Sequence, residues 1–287
     1  MDDGRPVGVV GLGVVGGTIA RAFAERGLDV RGYDRYLETG EPKDLAGCRV
    51  VFLCVPSPPS EDGRLDLSEV WSAVLEIEPH LDVGTVIAIK STIRPGACDE
   101  FSAYFPRLQF ASVPEFLVAA RPMETFTQPD RILIGAYSPD VVREIAAVMS
   151  RVAPAAPILA LSPREAELAK LCANVMLAAK VTMANQLSDV CSLFGVEWPA
   201  VQAAVGMDRR IGPDHLTVFP ERGFGGSCLP KDVDGLIAAS RAAGYSPPVL
   251  EAIAEFNRRI RLDAAASSNG SPPSAFSVAA VDALEAS

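Results

Sequence analysis

Residues 7–34 leave this chain little choice of fold. Val7-Gly8-Val9-Val10 is a short apolar run of the kind that forms a buried strand, and it leads into Gly11-Leu12-Gly13-Val14-Val15-Gly16. A helix follows, with apolar or small residues at Ile19, Ala20, Phe23 and Ala24, and it stops at Gly27. A second strand, Val30 to Tyr33, delivers Asp34, eighteen residues after Gly16. Strand, glycine turn, helix, strand and acid in this order are the dinucleotide fingerprint in its proper context. Gly11 permits the tight turn, Gly13 lets a pyrophosphate approach the helix N-terminus, and Gly16 allows close helix–strand packing. Asp34 can accept from ribose hydroxyls and would repel a 2′-phosphate, so NAD is expected rather than NADP; Arg35 beside it counts the other way.

Four more strand-like runs follow, at 49–55, 85–91, 109–113 and 131–135, with helical stretches near 66–79, 95–105 and 139–153. Alternating strands and helices predict an α/β domain built on a parallel sheet with helices on both faces. Ligands of such sheets gather at the carboxyl ends of the strands. Those ends carry Asp34, Val55-Pro56-Ser57-Pro58, Ser91-Thr92 and Pro114-Glu115, so polar and turn-forming residues recur along one edge.

Ser162-Pro163-Arg164-Glu165 opens a long helix: Ser as N-cap, Pro in the first turn and Glu closing a capping box. The pattern runs to about Phe194 with Gly195 as a stop, a rod of roughly 45 Å at 1.5 Å per residue. Leu168, Leu171, Val175, Ala178 and Thr182 form its inward stripe. Such a rod could join two domains or form the core of a dimer. Lys170 and Asn174 lie four apart on one face; Asn is a poor interior helix residue unless its side chain has a partner. Short helices are expected at 198–205, 232–243 and 249–262, with a turn at 208–212. The domains expected are 1–161, dinucleotide-binding; 162–262, helical; and 263–287, a low-complexity tail poor in apolar residues, whose end at 276–287 reads as a docking helix or a disordered stretch.

Between the helices lies Gly223-Phe224-Gly225-Gly226-Ser227-Cys228-Leu229-Pro230-Lys231-Asp232. Three glycines deliver one thiol, followed within the same turn by a proline, a cation and a carboxylate. A thiol attacks as its thiolate, which a nearby positive group favours. The same stretch also reads as a glycine-rich turn around a buried, inert Cys.

A net charge of −10 and the lack of a basic stripe speak against nucleic-acid binding. No apolar run reaches a membrane-spanning length. The six cysteines show no CxxC pair and no disulfide-like spacing, and several sit inside apolar runs, as expected of reduced thiols in a cytoplasmic protein; no metal is expected.

Together these residues resemble the UDP-glucose/GDP-mannose dehydrogenase family of NAD-dependent nucleotide-sugar dehydrogenases. The resemblance spans about residues 6–262 and rests on GVVGLGVVGG at 8–17, CVPSPP at 54–59, STIRPG at 91–96, PEFL at 114–117, PDRILIG at 129–135, ELAKLCAN at 167–174, RIGP at 210–213 and GFGGSCLPKD at 223–232. It implies Cys228 as nucleophile, Lys170 and Asn174 as oxyanion stabilisers, and Asp232 and Thr92, with Glu115 beside them, as handlers of the hydrolytic water. It implies a cofactor site of Gly11, Gly13, Val14, Val15, Gly16, Asp34, Arg35, Val55, Pro56, Ser57, Thr92 and Lys231. Phe116, Leu117, Lys170, Asn174, Gly225 and Arg210 would meet substrate, Arg210 often from a partner subunit, and a homodimer is implied. The reaction implied is oxidation of a primary alcohol to a carboxylate in two hydride transfers, through a Cys thiohemiacetal and thioester.

Two departures from the family pattern stand out. Ala119 occupies a position where the family carries an acid, and the expected third, nucleotide-covering domain gives way to the linker at about 263. The substrate is then a nucleotide sugar or a smaller nucleoside or sugar phosphate, or a partner supplies the lid. The competing readings are a two-electron β-hydroxyacid-type dehydrogenase, which also carries Lys and Asn four apart on a helix, and an inactive NAD-binding remnant.

Overall fold

Alternate residues on four-residue strands face opposite ways, and that period organises the first part of the molecule. The structure, a computed structural model, describes residues 4–268. It divides into two compact units, one ending at Ala173 and one beginning at Asn174.

The first unit runs β1 (Val7–Val10), α1 (Val14–Glu25), β2 (Val30–Tyr33), β3 (Val50–Leu53), α2 (Ser68–Ile77), β4 (Val86–Ile89), α3 (Ala97–Tyr104), β5 (Gln109–Ser112), α4 (Pro122–Thr127), β6 (Ile132–Gly135), α5 (Pro139–Val152), β7 (Ile158–Leu161) and the start of α6 (Pro163–Leu193). The strands form one seven-stranded sheet in the order β2-β1-β3-β4-β5-β6-β7. The first five are mutually parallel, while β6 meets β5 antiparallel at Ser112 and Gly135, and β7 runs parallel to β6. The expected Rossmann-type α/β sheet is thus present, with its last two strands reversed. An apolar run carries no information about direction, which the connections decide.

One set of alternating side chains, among them Val9, Phe52, Ala88, Ala111 and Ile134, packs with Phe23 of α1, Phe126 of α4 and Ile145 and Val148 of α5. On the other set, Phe110 of β5 stacks on Phe101 of α3 at 5.7 Å, and Trp71 of α2 stands 4.3 Å from Phe101. Burying a side chain such as Phe23, which is 0% exposed, contributes about 2–3 kcal/mol.

Helix α6 starts as its sequence predicts. The Ser162 hydroxyl and backbone N–H both donate to Glu165 Oε2 at 2.7 Å, closing the capping box. Leu171, Val175, Ala178 and Thr182 of the expected stripe are buried, whereas Leu168 is 39% exposed. The second unit continues with α7 (Trp198–Gly206), α8 (Leu229–Ala242) and α9 (Pro248–Ser268). Helix α8 begins at Leu229, three residues before the predicted start, because Pro230 falls in its first turn, where a missing N–H costs nothing. Helix α9 runs six residues beyond the predicted end at 262, across Ala264-Ala265-Ala266, since alanine is the strongest helix former. The expected docking helix or tail at 276–287 lies outside the described residues.

Among the described residues no helix is long and apolar enough to cross a membrane, and no group of three His, Cys, Asp or Glu side chains could hold a metal ion.

Candidate active site

In the first unit the glycine turn is built as its residues require. Gly11 has φ +82, and a Cβ on Gly16 would stand 1.8 Å from the Gly11 carbonyl oxygen. Gly13 caps α1, and a Cβ there would meet nothing within 4 Å. An open cradle at a helix N-terminus, flanked by exposed Val14 and half-buried Val15, fits the pyrophosphate of a dinucleotide. Asp34 is 8% exposed and accepts from the backbone N–H of Leu12 at 2.6 Å, Tyr36 at 2.8 Å and Leu37 at 2.9 Å. Burial pushes its carboxyl up, but the three N–H donors outweigh that and hold it below the usual range. The acid therefore ties the glycine turn to β2 as well as facing the adjoining cleft, which Val55 and Pro56 also line.

Arg35 is committed elsewhere. Its guanidinium bonds Glu76 Oε2 at 2.7 Å and Ser72 Oγ at 2.9 Å. Glu69 and Glu76 line the same cleft as Asp34. A 2′-phosphate would meet three carboxylates and an arginine already neutralised, so the pocket favours NAD.

At the other strand ends, Ser57 is 8% exposed and Thr92 is half-buried; the neighbouring Ser91 hydroxyl donates to the Val55 carbonyl at 2.6 Å. Glu115 pairs with Lys90 at 3.2 Å, a lysine only 5% exposed that sequence reasoning passed over. The ring of Phe116, with Leu117 half-buried beside it, carries two cations: Arg131 at 4.3 Å and Lys170 of α6 at 5.0 Å.

Three residues before Lys170, Glu167 is 2% exposed and closes the N-terminus of α3. Its Oε2 accepts from Gly96 N–H at 2.5 Å and its Oε1 from Cys98 N–H at 2.9 Å. Burial pushes its carboxyl from 4.5 up to about 7, against the pull of the two N–H donors. A folded-state value above the unfolded one means the folded chain holds the proton longer. The contribution to stability is then full below pH 4.5 and is lost as pH rises through about 7. Urea midpoints should carry this loss, on the order of 3 kcal/mol at most, in the parent and show it reduced in Glu167→Gln. Identical pH slopes for the two proteins would remove Glu167 as the cause.

The second unit holds the thiol loop. Two buried asparagines grip it: Asn257 of α9 accepts from Phe224 N–H at 2.7 Å and donates to the Phe224 carbonyl at 2.9 Å, while Asn185 of α6 accepts from Gly223 N–H at 3.1 Å and Arg222 Nε at 2.8 Å. Arg222 also bonds Asp189 at 2.7 Å. The loop ends with exposed Cys228 at the N-cap of α8, its Sγ 3.7 Å from the Ser227 hydroxyl. A helix N-terminus is electropositive and suits an anion. Burial, by contrast, pushes the thiols of Cys48 to about 11 and Cys54 to about 12, and raises that of Cys98 too, which leaves them inert.

One turn along α8, Asp232 is 1% exposed and held from both sides. Asn174 Nδ2 donates to its Oδ2 at 2.5 Å, and Lys231 Nζ donates to its Oδ1 at 2.7 Å. The partner that the interior Asn174 needed is therefore Asp232. Lys231, expected at the cofactor, is seen paired to the same acid. Gly225 has the Arg261 guanidinium against it, 2.8–3.1 Å from where a Cβ would lie. Arg210 is not drawn into this cluster: it is exposed and bonds Asp208 at 2.6 Å.

Sequence reasoning missed Asn185, Asn257, Lys90, Glu167 and Arg131. The first two carried a usable signal, an asparagine inside a helical pattern.

Comparison with known proteins adds a second line. Residues 34–152 match the NAD-binding domain of the UDP-glucose/GDP-mannose dehydrogenase family, and residues 164–259 match its central domain. A UDP-glucose 6-dehydrogenase of Haloferax volcanii is 30% identical over 87% of this chain and 68% of its own length. One from Pseudomonas aeruginosa is 30% identical over 88% of this chain, which spans 65% of that protein, and one from Rickettsia bellii is 33% identical over 75% of this chain and 50% of its own. The structure of a UDP-glucose dehydrogenase from Pyrobaculum islandicum superposes with a TM-score of 0.79 at 30% identity, covering 90% of this chain and 68% of that one. A 3-hydroxyisobutyrate dehydrogenase of Mycobacterium tuberculosis shares the fold at 15% identity, with a TM-score of 0.69 over 90% of this chain and 94% of its own.

Proposed function

Because this chain belongs to the UDP-glucose/GDP-mannose dehydrogenase family and carries its NAD-binding domain, we propose that it oxidises the primary alcohol of a nucleotide sugar, or of a smaller nucleoside or sugar phosphate, to a carboxylate in two NAD-dependent steps. The observation that carries this reading is the cluster on α8: an exposed thiol at the helix N-terminus, and one turn later a buried carboxylate held by Asn174 and Lys231.

Bound NAD supplies the hydride acceptor for each oxidation. The first step releases the alcohol proton and yields an aldehyde, which gives up hydride poorly. The Cys228 thiolate adds to the aldehyde carbon and turns it into a hydride donor, and its oxidation leaves a thioester on sulfur. Water then attacks the acyl carbon, its proton passes to a carboxylate, and the sulfur departs as thiolate. Asp232 is the base in this reading, with Thr92 placing the water and Glu115 beside it. An amide carries two N–H donors: that of Asn174 bonds Asp232 with one, and the other is assigned, with the Lys170 ammonium, to the oxyanion. Gly11, Gly13, Val14, Val15, Gly16, Asp34, Val55, Pro56, Ser57 and Thr92 hold the cofactor; Phe116, Leu117, Gly225 and Arg210 are assigned to substrate.

The test is stoichiometric. Incubation with NAD and a panel of nucleoside diphosphate sugars, nucleosides and sugar phosphates should give two NADH per carboxylate, read by absorbance and product mass. One NADH with an aldehyde or ketone product would replace this reading with the two-electron dehydrogenase. Binding of NAD without turnover on any substrate would leave the inactive remnant.

A homodimer belongs to the same reading. Met176, Met183, Leu187 and Val190 on α6 and Phe194 just past its end are exposed at spacings of seven, four, three and four, a near-heptad apolar stripe that a second copy would cover. Sedimentation at micromolar concentration should return the dimer mass, falling to the monomer in Leu187→Glu/Val190→Glu; a monomeric parent would reject it.

A further inference from the structure

Lys90 is a buried charge to which the catalytic scheme gives no task. It lies just past β4, at the carboxyl edge of the sheet, and is 5% exposed. An ammonium survives there only if its environment meets it. Its Nζ stands 3.2 Å from Glu115 Oε2, donates to the Pro114 carbonyl at 3.4 Å and lies 6.0 Å from the centre of the Phe126 ring. Glu115 Oε2 is itself buried and makes no hydrogen bond of ordinary geometry, so the ammonium is the charge that compensates it.

Those contacts fall on consecutive residues. Lys90 holds the backbone of Pro114 and the side chain of Glu115, and the next residue is Phe116, whose ring lies 5.0 Å from Lys170 Nζ and 4.3 Å from the Arg131 guanidinium. A ring face attracts a cation only when it is correctly turned. We propose that Lys90 is a positioning residue that fixes the Pro114–Phe116 turn and so orients the aromatic seat of the Lys170 ammonium. This rests on the catalytic role given to Lys170 above for its consequence in turnover, but not for the structural coupling itself.

The test reads the coupling directly. The full chain is treated briefly with acetic anhydride, and labelling of Lys170 is measured by mass spectrometry against exposed Lys43. Lys90→Met, which keeps the volume and removes the charge, is expected to raise relative labelling of Lys170 at least about threefold, as the ammonium loses its seat. It should also lower kcat about tenfold while leaving the KM for NAD unchanged. Glu115→Gln retains the bond from Lys90 to the Pro114 carbonyl and should raise labelling less. A folded Lys90→Met protein with parental labelling at Lys170 would overturn the proposal. Should that variant not fold, Lys90→Met/Glu115→Gln removes both charges of the pair; raised labelling there supports the proposal and parental labelling overturns it. A parent protein that turns over no substrate would fell the enzymatic reading, while the labelling would still decide the role of Lys90.

Discussion

Cys228→Ser is expected to abolish carboxylate formation, by about a thousandfold or more, while leaving the first oxidation measurable. In the proposed reaction the sulfur is needed only once an aldehyde exists. A serine hydroxyl is almost wholly protonated at neutral pH and a poor leaving group, so both addition to the aldehyde and release of the acid suffer. One NADH per substrate should appear, with aldehyde or its hydrate as product. Misfolding is an unconvincing explanation for such a loss, because position 228 is the N-cap of α8 and serine is among the residues best suited to a cap. Far-ultraviolet circular dichroism and melting should match the parent. Undiminished acid formation by this variant would take the nucleophile's role from Cys228.

Gly16→Ala should have the second largest effect, and on a different quantity. Its methyl group would stand 1.8 Å from the Gly11 carbonyl oxygen, 2.9 Å from the Gly11 carbonyl carbon and 3.1 Å from Cys54 Cβ. Backbone cannot yield as a flexible side chain can, so α1 must part from the turn at a cost of about 1–3 kcal/mol. NAD affinity should fall at least about a hundredfold, with a drop of several degrees in the melting temperature. Gly13→Ala is the informative companion, since its methyl group would meet nothing within 4 Å. It should melt like the parent and still lose NAD, because it fills only the space assigned to the pyrophosphate. Calorimetric titration and thermal melting separate the two; tight NAD binding by both variants would contradict the assignment of this turn.

The parts of the molecule legible in the sequence are those where local chemistry and tertiary role agree. The β1–α1–β2 unit with Asp34, and the capping box at Ser162 and Glu165, are short-range patterns whose meaning does not depend on the rest of the chain. Strand β7 was not foreseen because Ile158-Leu159-Ala160-Leu161 is a four-residue apolar run with no alternation to tell a strand from a helix. The reversal of β6 was not legible either, for a strand reads the same in both directions. In the site, Asn174 could be singled out as an ill-suited interior residue, and its answer proved to be Asp232, fifty-eight positions away. Asn185 and Asn257 obey the same logic but gave no motif to follow. Lys90 and Glu167 were hidden for a simpler reason: a charged residue is ordinarily read as solvated, and only the packing reveals that these two are not.

The uneven burial of the six thiols sets how this protein should meet electrophiles. Cys48, Cys54 and Cys98 are locked as neutral sulfhydryls, whereas Cys172 and Cys228 lie open to solvent. A chloroacetamide should therefore alkylate those two long before the rest, and with Cys228 as the proposed nucleophile the fraction of adduct on it would count the competent molecules in a preparation. An adduct arriving first on Cys54 would mean that the inventory is ordered by something other than access and ionisation.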